Sequence, residues 1–189
     1  MAHEPQDEAS EGFAYLPERA IWTQDDFDQM GWHDATLHGL AIHERETAWG
    51  QLEYDLLCDI DYLFQWVKPV PPSRYFSFWV SPCTLEFRDV SDLAIKMDGG
   101  MPLTISGLEL VGRQERRPND WVYEWRLEFH YSMDIRLKSH GFEQVVRAAP
   151  VHSDGQSLDQ EKRGGISYGM TPYRIDDQPA SQGSVEMGD

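Results

Sequence analysis

The chain has no run of about 18 apolar residues, so it contains no candidate membrane-spanning helix. Only two cysteines occur, Cys58 and Cys83. Two cannot make a disulfide framework, and their spacing is not that of a zinc motif. Both fall in apolar alternating segments, which predicts small buried thiols. Basic residues are scarce: 16 Lys and Arg stand against 33 Asp and Glu, for a formal net charge of -17. Such a field repels nucleic-acid phosphates and anionic lipid, which excludes both as expected partners. No nucleophile motif of the G-x-S-x-G kind is present, and no internal repeat is visible. The opening MAHEPQDEASEG is acidic and polar, the opposite of a basic and then apolar signal peptide, which predicts a cytoplasmic protein. At 189 residues the chain can bury one core without disulfides.

What is present is alternation. From Gln51 to Trp66 (QLEYDLLCDIDYLFQW) every second residue from Leu52 to Tyr62 is apolar, and Glu53, Asp55, Leu57, Asp59 and Asp61 lie between. Strand side chains alternate between faces, so one face reads as core and the other as a carboxylate row. Asp is disfavoured in strands, so three of them in one strand need a reason. The acidity is also localised. Residues 1–61 hold 15 acids and 2 bases, residues 62–152 hold 11 of each, and residues 153–189 hold 7 acids and 3 bases.

Residues 1–20 read as a disordered acidic arm that docks through Phe13, Tyr15 and Leu16. Thr23-Gln24-Asp25-Asp26 reads as a capped helix start, with Phe27 and Met30 turned inward and Gly31 as a stop. Ala35 to His43 reads as a strand with Leu40 and Ile42 on one face and Leu37 on the other, forming a hairpin with the Gln51–Trp66 strand. After the proline-rich link Lys68 to Ser73, Tyr75 to Phe87 reads as a strand whose apolar phase shifts at Ser81-Pro82, predicting a bulge there. Leu93 to Met97 and Leu103 to Val111 read as further strands, followed by a charged loop from Arg113 to Asp120. The longest alternation, Trp121 to Lys138, exceeds usual strand lengths and predicts a break near Ser132. Gly141 to Arg147 reads as a last strand. The expected fold is mainly β: a twisted antiparallel sheet folded as a sandwich or half-open barrel over residues 21–152, with one short N-terminal helix. Residues 153–189 read as a largely disordered tail, pinned in part by Ile166, Tyr168 and Tyr173.

The segments Trp32-His33-Asp34-Ala35, Asp59-Ile60-Asp61-Tyr62 with Trp66, Ser81-Pro82-Cys83-Thr84-Leu85 and Arg163-Gly164-Gly165-Ile166-Ser167 resemble a group of uncharacterised bacterial proteins. The resemblance spans roughly residues 31–168 and implies a single-domain bacterial cytoplasmic protein, with no activity to carry over. The Trp-His-Asp opening also looks like that of some small bacterial immunity proteins, which neutralise toxins by binding them.

Three functional readings follow. The first is a non-enzymatic acidic binding protein, an immunity-type inhibitor of a basic toxin, with Trp32, Glu53, Asp55, Asp59 and Asp61 as its contact surface. It needs no catalytic residue, cofactor or metal. The second is a metal-assisted hydrolase using His33, Asp34, Asp59 and Asp61. The third is a structural or assembly module. Against any functional use of the acidic row stands its neutralisation by Arg126, Arg136 and Lys138 across the sheet. His38 and His43, at odd spacing, face opposite sides of a regular strand and cannot share a metal without a bulge. Trp66, Tyr75 and Trp79 read as the capped end of a core rather than a ligand groove.

Overall fold

Period-2 alternation yields ten strands among the described residues, arranged as two antiparallel sheets packed face to face. The computed structural model describes residues 15–174 apart from 101 and 132. In chain order the strands are β1 (Ile21–Thr23), β2 (Thr36–Glu46), β3 (Leu52–Val67), β4 (Ser77–Phe87), β5 (Ser91–Met97), β6 (Ile105–Arg117), β7 (Asp120–Phe129), β8 (Met133–Ser139), β9 (Phe142–Val146) and β10 (Val151–Ser153). One sheet has the order β1-β9-β4-β3-β2, with β10 also pairing β4; the other has the order β5-β8-β7-β6. The mainly β expectation is met, as an open sandwich and not a closed barrel.

The core lies between the sheets. Leu56, Cys58, Ile60, Cys83, Leu85 and Phe87 of the first sheet meet Leu108, Trp125, Leu127, Ile135 and Leu137 of the second. Trp125 is the hub: its ring lies 5.4 Å from Phe27 and 5.5 Å from Phe142, and its Nε1 donates to Ser139 Oγ at 3.0 Å. Both cysteines are free and fully buried, and burial pushes the Cys58 thiol up to about 12. The N-terminal helix is a 3-10 helix, Gln24–Gln29, and Thr23 N donates to Asp26 Oδ2 at 3.0 Å in a capping box.

Several local expectations change. A bulge between Leu37 and Gly39 turns both Leu37 and Leu40 toward the core, where an unbroken strand would have separated them. The predicted bulge at Ser81-Pro82 is absent from the β3–β4 ladder, which runs in register from Leu56↔Phe87 to Leu63↔Val80. The phase shift has another cause. Cys83, Leu85 and Phe87 face the main core, whereas Phe78 and Val80 face outward into a second cluster with Leu63 and Leu158. The segment from Arg113 to Asp120 is not a loop. β6 continues to Arg117 and β7 begins at Asp120, across a tight turn in which Asn119 takes φ 66°. The long alternation does break as expected, between Phe129 and Met133, although Ser132 itself lies outside the described residues.

The second cluster exists because residues 153–174 lie across the outer face of the first sheet instead of trailing from it. Thr84 Oγ1 donates to Gly169 O at 2.9 Å, and Tyr173 N donates to Val146 O at 3.0 Å. Gly39 provides the room: a Cβ there would meet Tyr168 Oη at 2.5 Å. Of the expected arm, Tyr15 docks with its ring 5.7 Å from Phe64, while Phe13 and the remainder of residues 1–14 lie outside the described residues, as do residues 175–189.

Two substitutions separate core from surface. Leu127→Ala, at a fully buried position, should cost about 2–5 kcal/mol by denaturant unfolding. Ile42→Ala, at a residue 64% exposed, should stay within about 0.5 kcal/mol of wild type. Similar losses at both positions would contradict this placement of the core.

Candidate functional site

The carboxylate row of β3 is not a solvent-facing surface. Asp55, Asp59 and Asp61 are buried, the last two completely. Residues two apart on a strand lie about 7 Å apart on one face, a span that a guanidinium fork can bridge. Arg163 does so: its Nη2 donates to Asp59 Oδ1 at 2.8 Å, its Nη1 to Asp59 Oδ2 at 3.0 Å and its Nε to Asp61 Oδ1 at 3.2 Å. Arg147 adds a second cation on Asp59. Backbone amides complete the shell, Ser167 N to Asp59 Oδ2 at 3.1 Å and Leu158 N to Asp61 Oδ2 at 2.7 Å. His38, carried in the β2 bulge, reaches Asp61 Oδ2 at 2.9 Å. Arg163 is placed by a one-turn helix, α1 (Gln160–Arg163), which Asp159 caps and Gly164 ends at φ 75°.

At the other end of the row, Asp55 accepts from Arg45 Nε at 3.1 Å and Asp89 N at 2.9 Å, and Arg45 also pairs with Glu53. The expected neutralising partners are elsewhere: Arg126 and Arg136 pair with Asp134, and Lys138 with Asp92, all on the second sheet. The contact surface expected from Trp32, Glu53, Asp55, Asp59 and Asp61 therefore does not form. Trp32 belongs to the core, donating from Nε1 to Gln144 Oε1 at 2.8 Å. The hydrolase constellation does not assemble either, because the oxygens of Asp59 and Asp61 are taken by donors of this chain.

Asp61 shows how the cluster balances. Burial pushes its carboxyl up, but the His38 hydrogen bond, the Leu158 amide and the charges of His38 and Arg163 together outweigh burial, and its pKa lies below the ordinary value.

A different group of side chains assembles where the two sheets join. Ile105 N donates to Ala35 O and Asp34 N to Ile105 O, both at 2.8 Å, stitching the start of β2 to the start of β6. Thr104 O accepts from His130 N at 2.9 Å, which brings the end of β7 to the same corner. Asp34 takes φ 67°, a left-handed conformation that Asp tolerates better than most residues. Its carboxylate sits between two imidazoles: His33 Nδ1 lies 3.1 Å from Oδ2 and His130 Nε2 lies 3.0 Å from Oδ1. Gln156 Nε2 donates to Oδ2 at 2.9 Å. The His33 ring lies 5.1 Å from that of His130 and 6.4 Å from Trp66. Trp66 continues to Phe76 at 5.7 Å, and His130 to Tyr131 at 6.2 Å. Trp66 and Tyr75 are thus exposed, not the capped end of a core. His33 also borders an open cleft of about 370 Å³ lined by Phe27, Asp28, Met30, Ser106 and Leu108. A second, more apolar cleft of about 360 Å³, between Ile42, Tyr54, Val90 and Leu93, lies near the opposite end of β3 and carries no such group.

Of this corner, sequence reasoning singled out His33, Asp34 and Trp66 and missed His130, Tyr131, Phe76 and Gln156. His130-Tyr131 stand at the predicted strand break, a signal that two reactive or aromatic residues occupy a turn. Gln156 gave no local signal, since its role depends on a contact 122 residues away.

The ionic cluster yields two tests. Arg163→Ala leaves Asp61 buried without its arginine and should cost about 3–5 kcal/mol. It should also open the 153–174 segment to proteolysis while β3 amides stay protected from exchange; unchanged cleavage would show that Arg163 does not hold the segment. The second test is pH. Because the folded pKa of Asp61 lies below its unfolded value of about 3.9, its contribution is complete above that value and is lost as pH falls from there through the lower folded pKa. Asp61→Asn should therefore flatten the fall of stability below about pH 4, as read by unfolding midpoints across the acid range. An acid limb as steep as wild type would refute the assignment. In comparisons with known proteins, no family model, no curated protein and no solved structure matches the chain, so the reading of this corner rests on its geometry.

Proposed function

We propose that the protein is a non-enzymatic binding protein whose contact face is the corner that joins the two sheets. One observation carries this: Phe76, Trp66, His33, His130 and Tyr131 form an unbroken run of ring contacts across the surface. Trp66 is 42% exposed and Tyr131 80% exposed. Aromatic side chains in contact with water lose little conformational entropy on binding and supply most hot spots of protein interfaces. The face is held from beneath by the Asp34 hydrogen bonds, so it is organised before a partner arrives.

The partner is a basic protein. The chain carries a formal charge of -17, and Asp28, in the 3-10 helix beside this corner, has no salt-bridge partner among the described residues. Asp28 and His33 line the same cleft. With the resemblance of Trp32-His33-Asp34 to the opening of small bacterial immunity proteins, the best-supported finer reading is an inhibitor of a basic toxin. The acidic row of β3 plays no part in that contact.

Affinity capture with the full chain, followed by kinetics on the identified partner, tests the face. Trp66→Ala and Tyr131→Ala should each weaken binding at least about tenfold, mainly through faster dissociation. Asp28→Asn should instead slow association and flatten its salt dependence. An acidic partner, or a basic one bound equally well by the Trp66→Ala and Tyr131→Ala variants, would overturn the proposal.

A further inference from the structure

We infer that His33, Asp34 and His130 form a site for one first-row divalent cation, with zinc as the best match to the donors. They are the one group of three metal-ligating side chains, among the described residues, whose donor atoms all lie within 4.8 Å of one another. The two imidazoles approach opposite oxygens of the Asp34 carboxylate, His33 Nδ1 at 3.1 Å from Oδ2 and His130 Nε2 at 3.0 Å from Oδ1. A tetrahedral ion with bonds of about 2.0–2.1 Å sets its ligands roughly 3.3 Å apart, so small imidazole rotations close the set. Two imidazoles and one carboxylate suit zinc and its first-row neighbours, and are a poor match to calcium or magnesium, which take oxygen donors.

A second observation is independent of these distances. Four aspartates are buried: Asp34, Asp55, Asp59 and Asp61. Arg45 neutralises Asp55, and Arg147 and Arg163 neutralise Asp59 and Asp61. Asp34 is the exception, with no Lys or Arg partner among the described residues and only histidines and an amide around it. Each of the other three has a permanently charged guanidinium, whereas the basic neighbours of Asp34 are histidines, whose charge depends on protonation. A cation between the two imidazoles gives Asp34 a permanent counter-charge.

The surroundings match those of a metal ligand. Gln156 Nε2 donates to Asp34 Oδ2 at 2.9 Å and fixes the carboxylate, as outer-shell partners of metal ligands do. The His33 side chain is 62% exposed, so an ion can enter, and a fourth position stays open to water or to a donor from a partner. The site requires only the loop before β2 and the end of β7, and stands whether or not the aromatic face binds a protein.

Titration of the full-length protein, stripped with a chelator, against Zn²⁺ by calorimetry tests the assignment. One equivalent should bind with a Kd below about 10 μM. His33→Ala and His130→Ala should each weaken it at least about tenfold, and Gln156→Ala by about tenfold. His43→Ala, an exposed histidine beside Asp55, should leave binding unchanged. Both site histidines are solvent-exposed, so their variants remain testable even if Asp34→Asn fails to fold. Co²⁺ should give visible d–d bands that disappear in the His33→Ala/His130→Ala double variant. The inference is overturned if wild type shows no saturable one-equivalent binding, or if the double variant keeps the wild-type Kd or the cobalt spectrum.

Discussion

Asp59 and Asp61 at the centre of β3, shared by Arg163, form the interaction on which the rest of the structure depends. Two carboxylates with no solvent exposure carry a desolvation penalty of several kcal/mol each, and no Lys or Arg of the flanking strands pairs with them. β2 offers His38, and β4 offers an uncharged face of Pro82 and Thr84 opposite them. The cations come instead from 88 and 104 residues further along the chain. This separation makes the cluster a condition on the whole fold. The sheet can bury those aspartates only once residues 147–167 have come back over it. A buried ionic cluster of this kind is weak evidence for net stability. It is stronger evidence for uniqueness of arrangement, since any register that misplaces Arg163 leaves Asp61 buried without an arginine and Asp59 with Arg147 alone.

That condition explains why β3 and β4 are apolar or satisfied on both sides. Leu63, Phe78 and Val80 would be exposed on an ordinary two-layer sandwich, and here Leu158 covers them. The covering segment also reaches the corner between the sheets. Within three residues, Gln156 donates to Asp34 and Leu158 N donates to Asp61. The ionic clasp and the histidine corner are therefore mechanically continuous. The clasp holds the strap, and the strap holds the carboxylate around which His33 and His130 are set.

What was legible in the sequence was periodicity. The alternations placed the inner faces from Leu56 to Tyr62 and from Trp125 to Leu137, although Leu52, Tyr54, Trp121 and Tyr131, read as part of the same faces, are exposed, and the excessive length of the second placed its break. The capping residue Thr23 and the buried cysteines were readable for the same reason, because each depends on its own neighbourhood. Three features were not. The phase shift at Ser81-Pro82 has two local solutions, a bulge or a second apolar cluster on the opposite face, and only the position of Leu158 decides between them. The charges from Arg113 to Asp120 look like a loop by composition, but an exposed hairpin end can be as polar as a loop and still be paired. The acidic row was visible, yet its meaning was not, because charge along one strand says nothing about which distant arginine returns to it.

Asp34 makes the clearest separation between residues that serve the fold and residues that the fold serves. A left-handed conformation costs a non-glycine residue of order 1 kcal/mol or more, and glycine would adopt φ 67° without that penalty. The backbone around Asp34 is over-determined by Asp34 N to Ile105 O, Ile105 N to Ala35 O and Ala35 N to Trp32 O, so the turn itself asks for no side chain. Nor does the core, since the carboxylate makes its contacts with two partly exposed imidazoles and an amide. The aspartates of β3, by contrast, lie in unstrained strand and are matched by arginines. A strained backbone that presents a carboxylate without a basic partner to two solvent-reachable histidines is explained by what the carboxylate orients. Asp89, Asp92 and Asn119 share the left-handed conformation, so what sets Asp34 apart is the pair of histidines its carboxylate orients, the feature on which the proposed site rests.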